Sequence, residues 1–498
     1  MSDGNANSGL AGTGGDGKFG LLLTLLPKLP LVLKVVLLHV LRRSETSKYL
    51  DLKSDVTISV LRSTLNSGKQ VGIRETQVMT TRDPGVKGRI WISTAASKVP
   101  PEQGIRDALL AAIDGLRAPD ARGAKPSFKI PDIVPVEAEW TGYRAGVAKD
   151  ATPPAISEEE KYYEMMKETK NKSTILYFHG GAYYVCDPIT HRGLVKSLAK
   201  STGGRAYSVR YRLAPQNAFP SALLDALVSY FTLLYPPPGS FHEAVSPSDI
   251  VFSGDSAGGN LALALLRTIM EIRRQDLKIA WFGADREVPL PAGVAAISPW
   301  VDLIQTMPSL VANQQWCYLP PPILLSETIK PKPDGLWPAD PPRRHIYVDD
   351  AYILHPLGTL QMNASWAGAP PVYVCCGWET IADEDRYLVS KLARDGVTVV
   401  FEEYEAMPHV FAAILPQLAE ARRNIEGLAR FVKDVCGADP GKVRSSYKTI
   451  KARSLEEVDI DVDKLSPFTD EQVWDLARRT VKERNVPQVP VADVPAKL

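Results

Sequence analysis

The stretch VFSGDSAGGNLALALL, residues 251–266, constrains this chain more than any other. An apolar run leads directly into Gly254-Asp255-Ser256-Ala257-Gly258 and then into helix-forming residues, so a strand turns sharply into a helix with Ser256 at the corner. A G-x-S-x-G match alone arises often by chance; its placement between a strand and a helix gives it meaning. Small residues at 254 and 258 let strand and helix approach closely, which puts Ser256 at the carboxyl edge of a sheet. The plainer reading is a glycine-rich helix start that uses Ser256 as its N-cap.

The surroundings supply that sheet. Apolar runs at 173–178, 205–210, 250–253, 293–297, 371–376 and 398–404 read as strands, with helical segments such as 260–274 and 386–394 between them. Strands alternating with helices indicate a mostly parallel central sheet flanked by helices. Runs at 77–81, 89–93 and 134–143 read as leading strands, and the polar 158–172 as a solvated helix or insert. Residues 303–366 form a long connection whose stretch 319–342 holds eight prolines, the mark of a lid or insert. The chain thus divides into 1–50, a catalytic unit at 51–436, and an accessory tail at 437–498 with one amphipathic helix at 469–483.

Composition narrows the class. Hydrophobic residues make up 45% and charged residues 23%, which excludes a chain disordered throughout and a polytopic membrane protein. Lys plus Arg is 58 against 57 for Asp plus Glu, so no global field attracts nucleic acid. The five cysteines lack CxxC spacing and suit a reducing, intracellular compartment better than a disulfide framework. Residues 2–17 read as a mobile tail. Residues 20–43 are the most apolar segment, interrupted by Pro27, Lys28, Pro30 and Lys34. Three readings compete there: a helix in a membrane interface, a spanning anchor, and a cap over the chain's own site. The prolines weaken the spanning helix, and the missing basic leader and small-residue cleavage site weaken a secretory signal. The expected location is membrane-associated, at the endoplasmic reticulum or a lipid surface, or cytoplasmic.

A serine hydroxyl needs a base, an orienting acid and donors for an oxyanion. His179 closes an apolar strand and opens His179-Gly180-Gly181-Ala182, a turn whose N–H groups can face a carbonyl oxygen. Glu379 follows the strand PVYVCC, and His409 follows the strand TVVFEEY. The order serine, acid, histidine is that of an α/β-hydrolase. Asp383 is the second choice for the acid. His39, His191, His242, His345 and His355 read as surface or core residues, as do the aromatics near the expected mouth, among them Trp316, Tyr318 and Trp378.

The chain resembles the hormone-sensitive-lipase-like family of α/β-hydrolases, which includes arylacetamide-deacetylase-like and steryl-deacetylase-like esterases. The motifs that carry the resemblance are HGGA at 179–182, YRLAP at 211–215 followed by FPSALLDA, GDSAGGN at 254–260, SPWVD at 298–302, GWETIADE at 377–384 and MPHVF at 407–411. It implies Ser256 as nucleophile, His409 as general base, Glu379 as acid, and an oxyanion hole from the N–H groups of Gly180, Gly181 and Ala257. It also implies a structural role for Asp225, no metal or other cofactor, and a cap built from the N-terminal segment and part of the insert. The expected activity is hydrolysis of apolar, short-acyl carboxylic esters. The alternatives are a lipase, an amidase or deacetylase on N-acyl substrates, and a non-catalytic receptor on the same fold. Loss of the histidine would mark the receptor, and His409 is present.

Overall fold

The computed structural model describes residues 26–66, 71–320, 331–437 and 440–483. The expected tail at 2–17 and the start of the apolar run lie outside the described residues. Twelve strands are described: β1 (Ile90–Ala96), β2 (Glu137–Tyr143), β3 (Thr174–Phe178), β4 (Arg205–Val209), β5 (Ile250–Asp255), β6 (Ile279–Trp281), β7 (Ala284–Arg286), β8 (Gly293–Ile297), β9 (Val372–Gly377), β10 (Val399–Tyr404), β11 (Ser446–Ile450) and β12 (Glu457–Asp459). Ten of them form one sheet in the order β1-β2-β4-β3-β5-β8-β9-β10-β11-β12, and β6 and β7 form a separate hairpin. From β4 to β11 neighbours run parallel, while β1, β2 and β12 are antiparallel.

Every residue of β3, β5, β8 and β9 is buried. Helices on both faces remove any need for a polar side, which is why these strands read as unbroken apolar runs. Successive residues feed different cores: Leu176 and Phe252 pack with the helices Ser221–Leu234 and Ala257–Arg274 on one face. Ile175 and Val251 pack with the helices Pro188–Thr202 and Ala419–Val435 on the other.

Two regions depart from the expectations. Residues 77–81 are not a strand but the end of the helix Ile73–Thr81. Its β-branched threonines accept a helix because Thr76, Thr80 and Thr81 each return their hydroxyl to a carbonyl four residues back. Gln77 then ties the helix to the carbonyls of Tyr184 and Ala214. Within 437–498, expected as an accessory tail, residues 446–450 and 457–459 extend the sheet as β11 and β12. The helix Asp470–Glu483 buries Val473, Trp474, Ala477 and Val481, and the Trp474 indole donates to the Gln361 carbonyl.

The N-terminal segment packs over the carboxyl edge of the sheet. Arg453 donates to the carbonyls of Ser47, Tyr49 and Leu50. Arg62 of the helix Leu52–Leu65 donates to the carbonyls of Gln315 and Cys317 in the insert. The Tyr49, Trp316 and Trp378 rings meet edge to face, with centroids 5.4–5.5 Å apart. The cover therefore includes residues beyond 50. No helix among the described residues is long and apolar enough to cross a membrane; the helix Leu29–Val40 has 12 residues.

Candidate active site

Ser256 sits between β5 and the helix Ala257–Arg274 at φ 53° and ψ −120°. A non-glycine residue at positive φ is strained, of order 1–3 kcal/mol, and the surroundings hold it there. Its N–H donates to the Ile297 carbonyl, while its own carbonyl accepts from Asn260 and Trp300. Gly258 is required beside it, because a Cβ would lie 2.0 Å from the Phe178 carbonyl oxygen. The turn is thus a built elbow and not a plain N-cap: the Ser256 side chain caps nothing. Its hydroxyl makes no hydrogen bond among the described residues.

Glu379 follows β9 and is fully buried. One carboxylate oxygen accepts from the Ser298 hydroxyl at 2.6 Å and the Gly377 N–H at 3.2 Å. The other is bonded to His409 Nδ1. A carboxylate accepts only, so Nδ1 carries the proton and Nε2 is left with a bare lone pair. Ser298 also accepts from the Val410 N–H, so one hydroxyl joins the acid loop to the histidine loop. Ser298 follows Ile297 on β8, and Ile297 holds the Ser256 N–H, so all three loops register on one strand end. Asp383, the alternative acid, is engaged elsewhere: it accepts from the Ser309 N–H and pairs with Arg386. Asp225 forks onto Arg212, as a structural carboxylate would.

The oxyanion turn corrects one expectation. Gly180 N–H points at the Asp255 carboxylate, 3.1 Å away, and is not available to a substrate oxygen. Among the described residues, the N–H groups of Gly181, Ala182 and Ala257 donate to no protein acceptor. Gly181, at φ 109°, has no room for a Cβ, which would sit 2.2 Å from the Val185 carbonyl oxygen. Ala182 and Tyr183 continue the turn at φ 50° and 65°. The replacement of Gly180 by Ala182 among the donors depends on where Asp255 points, and spacing does not report that.

Beneath this turn lies a cluster that sequence reading missed. Asp255 accepts from the Tyr177 hydroxyl at 2.6 Å and from Gly180, and pairs with His191 Nε2 at 3.2 Å. Burial alone would raise the Asp255 carboxyl, but His191 and Tyr177 outweigh it and hold the group below the usual carboxylate range. His191 lies in the first turns of the helix Pro188–Thr202, four residues after its N-cap Asp187. That spacing was the available signal, since it turns a side chain back toward the strand ends. His179 stacks on Tyr211 with centroids 4.2 Å apart, and the Tyr211 hydroxyl donates to the His179 carbonyl. Burial and the neighbouring His191 lower the His179 pKa to about 3, so this imidazole is a neutral brace and not a base. The remaining histidines are structural: His39 pairs with Asp55, His242 faces the Glu243 carbonyl, His345 accepts from Tyr347 and Val348, and His355 bonds the Ile113 carbonyl.

Two expected results follow from these charges. Asp255→Asn leaves an oxygen for the Tyr177 hydroxyl and the Gly180 N–H but removes the buried charge that pairs with His191, whose ring nitrogen then accepts from the amide, so the cluster beneath the Gly180–Gly181 turn loses its charge-assisted bonds. A fall in kcat of roughly 10–100-fold is expected with a smaller change in KM, in line with about 1–3 kcal/mol for lost hydrogen bonds to a buried charge; steady-state kinetics on p-nitrophenyl acetate checks it. Asp385, on the first turn of the helix Ala382–Arg394, is fully buried, and neither carboxyl oxygen has a hydrogen-bond partner among the described residues. Burial, reinforced by Glu379 and Glu384, raises its pKa well above the ordinary value. The native state keeps this proton while the unfolded chain gives it up above about pH 4, so native stability falls as pH rises, by about 1.4 kcal/mol per unit until the folded pKa is passed. Asp385→Asn is therefore expected to be near neutral at pH 4 and more stable than the parent at pH 8, as read from urea midpoints at the two pH values.

Comparison with known proteins agrees with this architecture. A family model described as an alpha/beta hydrolase fold matches residues 175–413. An acetyl-hydrolase of Streptomyces hygroscopicus is 30% identical over 266 residues, covering 53% of this chain and 76% of the relative. An esterase of Acinetobacter venetianus is 28% identical over 270 residues, covering 54% and 77%. Among solved structures, a hormone-sensitive lipase from a metagenome library superposes with a TM-score of 0.52 at 21% identity, over 78% of this chain and 99% of that one.

Proposed function

This chain belongs to the hormone-sensitive-lipase-like family of α/β-hydrolases, and on that premise we propose that it cleaves carboxylic esters through an acyl-enzyme formed on Ser256. It is a carboxylic ester hydrolase by membership; the residues and the acyl preference are our reading. The observation that carries the residue assignment is the Glu379–His409 pair, joined through Ser298 to the strand end that holds the Ser256 elbow.

In this reading Ser256 Oγ attacks the ester carbonyl while His409 Nε2 takes its proton. Glu379 keeps the imidazole in the productive tautomer and offsets the imidazolium charge. The carbonyl oxygen, now anionic, is received by the N–H groups of Gly181, Ala182 and Ala257, each such donor being worth about 3–4 kcal/mol of barrier. His409 then protonates the leaving alcohol, and the same nitrogen activates water to release the acid.

Short acyl groups on apolar alcohols are the proposed substrates. The acetyl-hydrolase name of one relative supports the acyl side. The aromatic cover supports the apolar side: the Tyr318 ring lies 6.2 Å from His409, and Trp316 and Trp378 meet edge to face with centroids 5.5 Å apart. A p-nitrophenyl ester series from acetyl to palmitoyl tests this. The expected profile peaks in kcat/KM at acetyl to butyryl and falls steeply beyond; a peak at long chains would make the protein a lipase.

A further inference from the structure

The helix Leu29–Val40 presents a stripe that nothing among the described residues covers. Leu26, Leu29, Leu33, Leu37, Val40 and Leu41 are each 50–65% exposed. From Leu26 to Val40 a spacing of three and four places them on one side, and Leu41 follows at the helix end. The opposite side is fastened to the helix Leu52–Leu65: Lys28 Nζ donates to the Ser63 hydroxyl at 2.9 Å, and His39 Nδ1 meets the Asp55 carboxylate at 2.9 Å. These two polar ties fix the rotation of the helix, so the stripe is held outward.

Charge identifies what the stripe meets. Lys34 stands exposed in the middle of the helix, and Arg42 and Arg43 stand exposed just past its end. No Asp or Glu occurs between residues 26 and 44. The first acid after the helix, Glu45, is paired with Lys48. An apolar face edged only by cations matches the interface of a bilayer that carries anionic headgroups. A second copy of the chain would set cations against cations. Length decides orientation: 12 residues span about 18 Å, short of the roughly 30 Å hydrocarbon core, so the helix lies along the surface.

We propose that the helix Leu29–Val40 seats the protein on an anionic lipid surface, with the leucine stripe in the acyl boundary and Lys34, Arg42 and Arg43 among the headgroup phosphates. The helix beneath it, Leu52–Leu65, holds the carbonyls of Gln315 and Cys317 beside Tyr318. Docking therefore brings the cover of the candidate site next to the apolar phase, where water-insoluble esters are found. The docking does not depend on the hydrolytic reading, and its test uses no substrate.

The experiment is co-sedimentation of the full chain with phosphatidylcholine vesicles, with and without phosphatidylserine. Binding is expected to be stronger with phosphatidylserine. Leu33→Ser combined with Leu37→Ser is expected to weaken binding to both vesicles by at least about tenfold. Arg42→Gln combined with Arg43→Gln is expected to cost roughly tenfold on phosphatidylserine vesicles only. All four side chains are exposed, so Tm stays unchanged in both variants. Failure of the parent to bind either vesicle, or binding that survives the leucine substitutions, overturns the proposal. So does a parent dimer in gel filtration that becomes a monomer in the leucine variant, which assigns the stripe to a second copy.

Discussion

Ser256→Ala is expected to lower kcat on p-nitrophenyl acetate by roughly four to six orders of magnitude while leaving Tm within a degree or two. The two halves of that expectation rest on different facts. The loss is large because the hydroxyl is the atom that forms the covalent bond, and the other members of the site have nothing to activate without it. Stability is spared because the Ser256 hydroxyl makes no hydrogen bond among the described residues, and the strained φ of 53° is equally strained for alanine. A variant that lost activity together with its cooperative melt would have damaged the elbow, so both readouts are needed. Residual turnover should remain in the oxyanion donors alone, still above water.

Glu379→Gln comes next in size, with a fall in kcat of roughly 10⁴-fold. The glutamine oxygen can still accept from the Ser298 hydroxyl and the Gly377 N–H, so the loop keeps its shape. The amide nitrogen then faces His409 Nδ1 and must donate to it, which moves the imidazole proton to Nε2 and removes the lone pair that Ser256 needs. The charge that stabilises the imidazolium is lost at the same time. Asp383→Asn is the matched control. That carboxylate is held by Ser309 and Arg386, and its change should alter kcat less than about fivefold. A large loss in Asp383→Asn with little in Glu379→Gln would reverse the assignment of the acid.

How much of this was legible in the sequence varied with the physics that fixes each part. The six core strands β3, β4, β5, β8, β9 and β10 were readable because a parallel strand buried on both faces is mostly apolar, and β8 falls on the expected residues 293–297. Ser256, Glu379 and His409 were readable because each follows such a strand, where an open α/β sheet exposes its loops. Residues 77–81 were misread as a strand because β-branched composition is a weak prior, and the contacts of Gln77 with Tyr184 and Ala214 overrode it. The pairing of β11 with β10 depends on a polar strand, SYKTI, whose residues are nearly all half-buried, so it has no alternating burial pattern to reveal it. Gly180 was assigned to the oxyanion hole by position in its motif; only the direction of the Asp255 side chain shows that its N–H is already taken. His191 was set aside as a lone histidine because its carboxylate partner is 64 residues away in sequence.

The central claim, that Ser256 becomes acylated, is tested most directly by acid-quenching the protein during turnover of p-nitrophenyl acetate and measuring intact mass and peptide masses. The account predicts one acetyl group on the peptide that contains Ser256, accumulating before steady state and absent from Ser256→Ala. An acetyl group on another residue, or hydrolysis by the parent that continues undiminished in Ser256→Ala, would contradict it.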